Sequence, residues 1–113
     1  QCTSCSWRFA TSDNKMELNQ NAFKKALREG KIQIGLWSSL CSHIATEVVC
    51  YSGFDWIMFD TEHSPNELPS LVTQLQANAL GTGTAIIRPA WNDAVLIKRI
   101  LDIGCQTVLV PFV

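Results

Sequence analysis

The groups with the most chemistry in reach of one another lie in the run Asp60-Thr61-Glu62-His63-Ser64-Pro65. Histidine titrates near pH 6.5, so its imidazole can take and return a proton at neutral pH, and neighbouring carboxylates can fix its tautomer or hold the imidazolium. The run therefore reads as a general base. It reads equally as a loop cap, with Asp60 and Glu62 bonding to the backbone amides of a following helix. Arg88 is sharper, because a permanent cation at the end of an apolar run needs an anion. That anion is either a structural carboxylate or a substrate carboxylate, and the substrate is the preferred reading. His43 is a second imidazole and reads as a surface residue. Asp-x-Glu-His could also offer metal ligands, but one short loop rarely completes an octahedral set for a hard cation. The lysines, at 15, 24, 25, 31 and 98, all miss the ends of the apolar runs, so a Schiff-base mechanism has no candidate here.

The elements that must position these groups follow from periodicity. Ala22, Phe23, Ala26 and Leu27 share a helical stripe that ends at Gly30, which predicts a leading helix. Ile32 to Trp37 alternates like a strand. Ser42 then caps a helix with Ala45, Val48 and Val49 inward, stopped by Gly53. Asp55 to Asp60 is an apolar run of strand length, followed by Leu68, Leu71, Val72, Leu75 and Ala79 at helical spacing up to Gly81. Thr84 to Arg88 predicts a third strand. Asn92 is the expected N-cap of a helix that buries Leu96, Ile97, Ile100 and Leu101 before Gly104, and Gln106 to Val110 predicts a fourth strand.

Strands alternating with helices of this length call for a parallel sheet and an α/β class. Two architectures fit, an open doubly wound sheet or the front of a (β/α)₈ barrel, which in full needs roughly 250 residues. The run that stops at Pro111-Phe112-Val113, with no helix to cover a fourth strand, favours a partial TIM (β/α)₈ barrel: four strands behind a leading helix, in a fragment. In either architecture ligands gather beyond the carboxyl ends of the strands. That rim collects Trp37, Asp60, Glu62, His63, Arg88 and Pro111.

Composition limits the partners. The chain has 113 residues, 47% of them hydrophobic, which suits one globular domain; residues 16–113 are expected to form it and 1–15 to be a tail or leader. A net charge of −1 with scattered Lys and Arg gives no footprint for nucleic acid or anionic lipid. No apolar run approaches the roughly 20 residues that cross a bilayer, and residues 1–15 have no apolar signal core. Five cysteines without framework spacing favour a reducing, cytoplasmic setting, and Cys2-x-x-Cys5 is only half of a zinc-ribbon pattern. No GxGxxG or GxxxxGK[ST] occurs, which removes the main support for nucleotide binding.

Several segments together resemble the amino-terminal half of the HpcH/HpaI aldolases. They are Asn21-Ala-Phe-Lys-Lys-Ala-Leu27, Gln33-Ile-Gly-Leu-Trp37, Gly53-Phe-Asp-Trp56, Asp60-Thr-Glu-His63-Ser-Pro65, Arg88-Pro-Ala-Trp-Asn-Asp93 and Leu101-Asp-Ile-Gly-Cys-Gln-Thr-Val-Leu-Val-Pro111. The likeness covers about residues 19–113. It implies a class II aldolase that cleaves 4-hydroxy-2-oxo or 2-keto-3-deoxy acids to pyruvate and an aldehyde, with a divalent ion (Mg²⁺ or Mn²⁺, with Co²⁺ an alternative) as Lewis acid. By the same resemblance His63 is the catalytic base acting through water, and Arg88 binds the keto acid. Asp60 and Glu62 support the loop, and Asp102 pairs with the histidine from a neighbouring subunit. The resemblance further implies a homohexamer and metal ligands on strands five and six, outside this sequence, so that the fragment alone is expected to be inactive. A citrate lyase β-like enzyme acting on acyl-CoA esters and a non-catalytic half-barrel module are the alternatives.

Overall fold

In the computed structural model, residues 20–113 are described. The expectations for the tail 1–15 and for Cys2-x-x-Cys5 lie outside the described residues. The described chain runs α1 (Ala22–Arg28), β1 (Gly35–Ser38), α2 (His43–Val49), β2 (Trp56–Asp60), α3 (Leu68–Asn78), β3 (Thr84–Arg88) and α4 (Ala94–Asp102). The three strands form one parallel sheet in the order β1-β2-β3. Register pairs Trp37 with Met58 and Asp60 with Arg88.

Because side chains alternate along a strand, this register sorts the sheet into two faces. Ile57, Phe59 and Ile87 point to one side, where they pack with Cys50, Leu71, Ile100 and Cys105 as the core. Trp37, Trp56, Met58, Asp60, Ile86 and Arg88 share the other. Over that second face lies a cavity of about 410 Å³, bounded by Phe23 and Leu27 of α1 and by Trp56, Met58 and Ile86. Gly35 is required where it stands: a Cβ there would lie 1.9 Å from the Trp56 ring.

Four expectations need correction. The predicted fourth strand is a single parallel bridge, Ile87 with Val108, because only the amides of Ile87 and Leu109 exchange bonds across it, with the carbonyls of Thr107 and Ile87. The N-cap of α4 is Asp93, one residue after Asn92, since the Asp93 carboxylate accepts from the amides of both Val95 and Leu96 at 2.9 Å. The inward face of α2 carries Thr46, whose hydroxyl satisfies itself on the Ser42 carbonyl, whereas Val48 is exposed. Ile32 and Ile34 are also exposed, since β1 begins only at Gly35. The caps at Ser42 and Gly30 fall as predicted: the Ser42 hydroxyl accepts from the Ala45 amide, and Gly30 has φ +69°. Among the described residues no helix is long and apolar enough to cross a membrane.

Candidate active site

Two neighbouring strands end in opposite charges. Arg88 donates from Nε to Asp60 Oδ1 at 2.9 Å and from Nη2 to Oδ2 at 2.6 Å, a bidentate pair between residues already matched in register. Arg88 Nη1 lies 3.0 Å from Glu62 Oε2. The Trp37 ring lies under the guanidinium, 4.4 Å from Cζ to its centroid, and the indole Nε1 donates to Asp60 Oδ2 at 3.1 Å. The indole therefore touches both members of the pair, with its face toward the cation and its N–H toward the anion.

The electrostatics follow from these contacts. Burial pushes the Asp60 carboxyl up, but the hydrogen bonds from Arg88, the Glu62 amide, Trp37 and the His63 amide outweigh it and hold the group well below the usual carboxylate range. Asp60 is therefore anionic at any ordinary pH. The bond to Asp60 raises the Arg88 pKa against the opposing effect of burial, and the charges of Asp60 and Glu62 add to that rise.

The same aspartate builds the loop that carries His63. Its Oδ1 accepts from the amides of Glu62 at 2.8 Å and His63 at 3.3 Å, and its carbonyl accepts from Ser64 Oγ and from Asn66 Nδ2. Thr61 closes the loop onto β3, bonding the Arg88 carbonyl through both its amide and its hydroxyl. The His63 side chain is 71% exposed, and Nε2 lies 3.5 Å from Glu62 Oε1. Glu62 thus stands between the imidazole and the guanidinium, one oxygen toward each.

The sequence expectations divide accordingly. Trp37, Asp60, Glu62, His63 and Arg88 come together on one rim. Arg88 grips the structural carboxylate of Asp60, one of the two anions the sequence allowed; with the Nε/Nη2 edge taken and Nη1 facing Glu62, a further ligand would approach the second N–H of Nη1 or of Nη2. Asp102 ends α4, which runs back from the rim toward the other end of the strands, so the fold does not bring it to His63 of its own chain. Pro111 follows the Val108 bridge and takes no part in the hydrogen bonds and ion pairs of the cluster. His43 opens α2 and is exposed. Sequence reasoning missed Thr61, Ser64, Asn66 and Gln74. Gln74 had a readable signal, being a polar residue one turn after the buried Leu71 and directly before Leu75.

Among the described residues no group of three His, Cys, Asp or Glu side chains is placed to hold a metal ion. The two rim carboxylates are instead turned toward Arg88 and His63.

This rim can be compared with known proteins. The HpcH/HpaI aldolase/citrate lyase family model matches residues 33–113. The chain belongs to this family. Among its HpcH/HpaI relatives, a pyruvate aldolase of Rhizobium etli is 56% identical over 98 residues, 87% of this chain and 39% of the relative. A 4-hydroxy-2-oxo-heptane-1,7-dioate aldolase of Klebsiella pneumoniae subsp. pneumoniae is 53% identical over 93 residues, 82% of this chain and 35% of the relative. The chain thus spans well under half the length of either. A crystal structure of an HpcH/HpaI aldolase/citrate lyase family protein from Burkholderia cenocepacia superposes with a TM-score of 0.80 at 35% identity, covering 83% of this chain and 38% of the other. The three-stranded parallel sheet with its helices is therefore a fold shared within the family, whose members generally depend on a divalent metal.

Proposed function

We propose that this chain carries the histidine–arginine part of an active site that cleaves 4-hydroxy-2-oxo or 2-keto-3-deoxy acids to pyruvate and an aldehyde. The observation that carries this reading is the continuous line of contacts from Asp60 through Arg88 and Glu62 to His63, on the strand ends where α/β folds collect their ligands.

The chemistry assigns each group one task. The two N–H groups of Arg88 used by neither Asp60 nor Glu62, one on Nη1 and one on Nη2, bind the oxo acid and stabilise the negative charge that develops on its 2-oxo oxygen. His63, exposed and free to reach outward, removes the proton of the 4-hydroxyl through a water molecule. The C3–C4 bond then breaks, its electron pair passes to the enolate of pyruvate, and the 4-carbon leaves as the aldehyde. Return of the proton to C3 completes pyruvate. Asp60 and Trp37 fix the plane of the guanidinium, so that its remaining donors are aimed before substrate arrives.

The divalent metal on which the family generally depends would need ligands other than these, since Asp60 and Glu62 are committed to Arg88 and His63. Mg²⁺ or Mn²⁺, with Co²⁺ as a further candidate, are the ions this proposal expects. A hexamer in which Asp102 of one subunit reaches His63 of another, and a cytoplasmic setting, belong to the same proposal.

A chimera tests it: residues 20–113 replace the matched stretch in the Rhizobium etli pyruvate aldolase. With Mg²⁺ supplied, pyruvate release from 4-hydroxy-2-oxo acids is expected, and none of the CoA-thioester cleavage a citrate lyase-like enzyme would show. The 113-residue chain alone is expected to release no pyruvate. Thioester turnover by the chimera, or oxo-acid turnover by the isolated chain, would refute the corresponding statement.

A further inference from the structure

Among the described residues the His63 side chain has no tether except the 3.5 Å approach to Glu62, and most of its ring is exposed. Its aim is therefore set by the backbone of residues 61–65. The amino-terminal end of that loop is clamped by the Asp60 carboxylate. Its carboxyl-terminal end is clamped by Asn66, whose Nδ2 donates to the Asp60 carbonyl at 2.9 Å and to Ser64 Oγ at 3.2 Å.

Asn66 is 3% exposed, and its own orientation is fixed from below. Gln74, 0% exposed on the inner face of α3, donates Nε2 to Asn66 Oδ1 at 2.8 Å and to the Ser70 carbonyl at 3.0 Å. Ser70 Oγ lies 3.3 Å from Asn66 Oδ1, but its single proton also faces the Glu67 carbonyl at 2.8 Å, the closer acceptor. The Gln74 donor on Oδ1 selects the amide orientation that turns Nδ2 toward the loop. Gln74 Oε1 has no hydrogen-bond partner among the described residues, so the side chain is not placed there for its own polar satisfaction alone. What the amide supplies is geometry.

We infer that Asn66 and Gln74 are positioning residues for the cleavage, a buried relay that runs from α3 through Asn66 to the loop and sets the position of His63. The inference rests on the proposed role of His63. A misplacement of about 1 Å far from the chemistry can cost about 100-fold in rate, so a slack relay reads out in turnover more than in folding.

The experiment is a double-mutant cycle in the chimera, with pyruvate release as the assay and thermal unfolding as the folding control. Gln74→Leu removes the unpartnered Oε1 but also takes the main donor from the buried Asn66 Oδ1, so it is expected to leave a folded protein with a modestly lowered melting temperature and to lower kcat about 10- to 100-fold. KM for the oxo acid, which Arg88 binds, stays within about threefold by the same argument. Gln74→Met is the second variant should leucine fail to fold, and Asn66→Ala is expected to behave alike. In a His63→Ala background Gln74→Leu is expected to cost nothing more, because residues that act as one unit are not additive. Full kcat in folded Gln74→Leu, with His63→Ala inactive, overturns the relay alone. An equal further loss in the His63→Ala background also overturns it, since that is what a general loss of integrity produces. Full activity of His63→Ala itself overturns the reading of the site and the relay with it.

Discussion

Asp60 and Arg88 are paired twice, once as register partners on β2 and β3 and once through two side-chain hydrogen bonds of 2.9 and 2.6 Å. The backbone match brings the two side chains to one face at one height, so the fork needs no long reach to close. A pair preset in this way loses little side-chain freedom on forming, and its planar geometry suits arginine in a way lysine cannot copy.

The pair should be needed for stability. Asp60 is 2% exposed at its side chain and Arg88 14%. Replacing Arg88 by Met leaves a buried carboxylate without its cation, which is expected to cost about 3–5 kcal/mol. Urea unfolding of the chain with and without the substitution measures it. A loss below about 1 kcal/mol, the range of surface pairs, would show that solvent screens the contact.

Acid should act through the same carboxylate. The folded Asp60 has a lowered pKa, so the unfolded chain, with its ordinary value near 3.9, takes up the proton first as pH falls. The stabilisation is complete above that range, and it declines from about pH 4 downward toward the folded value. Melting temperature followed from pH 6 to 2 should therefore fall more steeply for the natural chain than for Asp60→Asn. Parallel curves would show that Asp60 carries no linked proton.

Gly35 faces the ring of Trp56, its register partner on β2. Alanine would place a methyl group where ring atoms already stand, so the ring must move. The expected cost is about 1–3 kcal/mol, as for other overpacked sites, with loss of the packing between Trp56 and Phe23. Urea unfolding followed by tryptophan fluorescence reads both effects, and an unchanged midpoint would contradict the close approach.

The α4 cap separates neighbouring residues. Asp93→Ala removes the acceptor of two backbone amides and should cost about 1 kcal/mol, whereas Asn92→Ala should be close to neutral. The reverse order would return the cap to Asn92.

Much of this was legible in the sequence because strand alternation and strand-end position are local properties. Trp37, Asp60, Glu62, His63 and Arg88 could be placed on one rim from where apolar runs end. The partner of Arg88 could not, since register between β2 and β3 is a tertiary fact, and only register shows that Asp60 stands opposite. The fourth strand read too long because Val108, Leu109 and Val110 have strand composition, while pairing there is confined to one bridge. Asn66 and Gln74 escaped notice because a buried amide network leaves no spacing rule, only a polar residue on a face that should be apolar.

The measurement closest to the central claim is kcat for pyruvate release by His63→Ala in the chimera, with Arg88 intact and the fold verified by its melting curve. A positioned general base is worth about 10²- to 10⁴-fold, so a loss in that range is expected, with the melting temperature unchanged because the imidazole is largely in solvent. Turnover equal to that of the unsubstituted chimera would contradict the account.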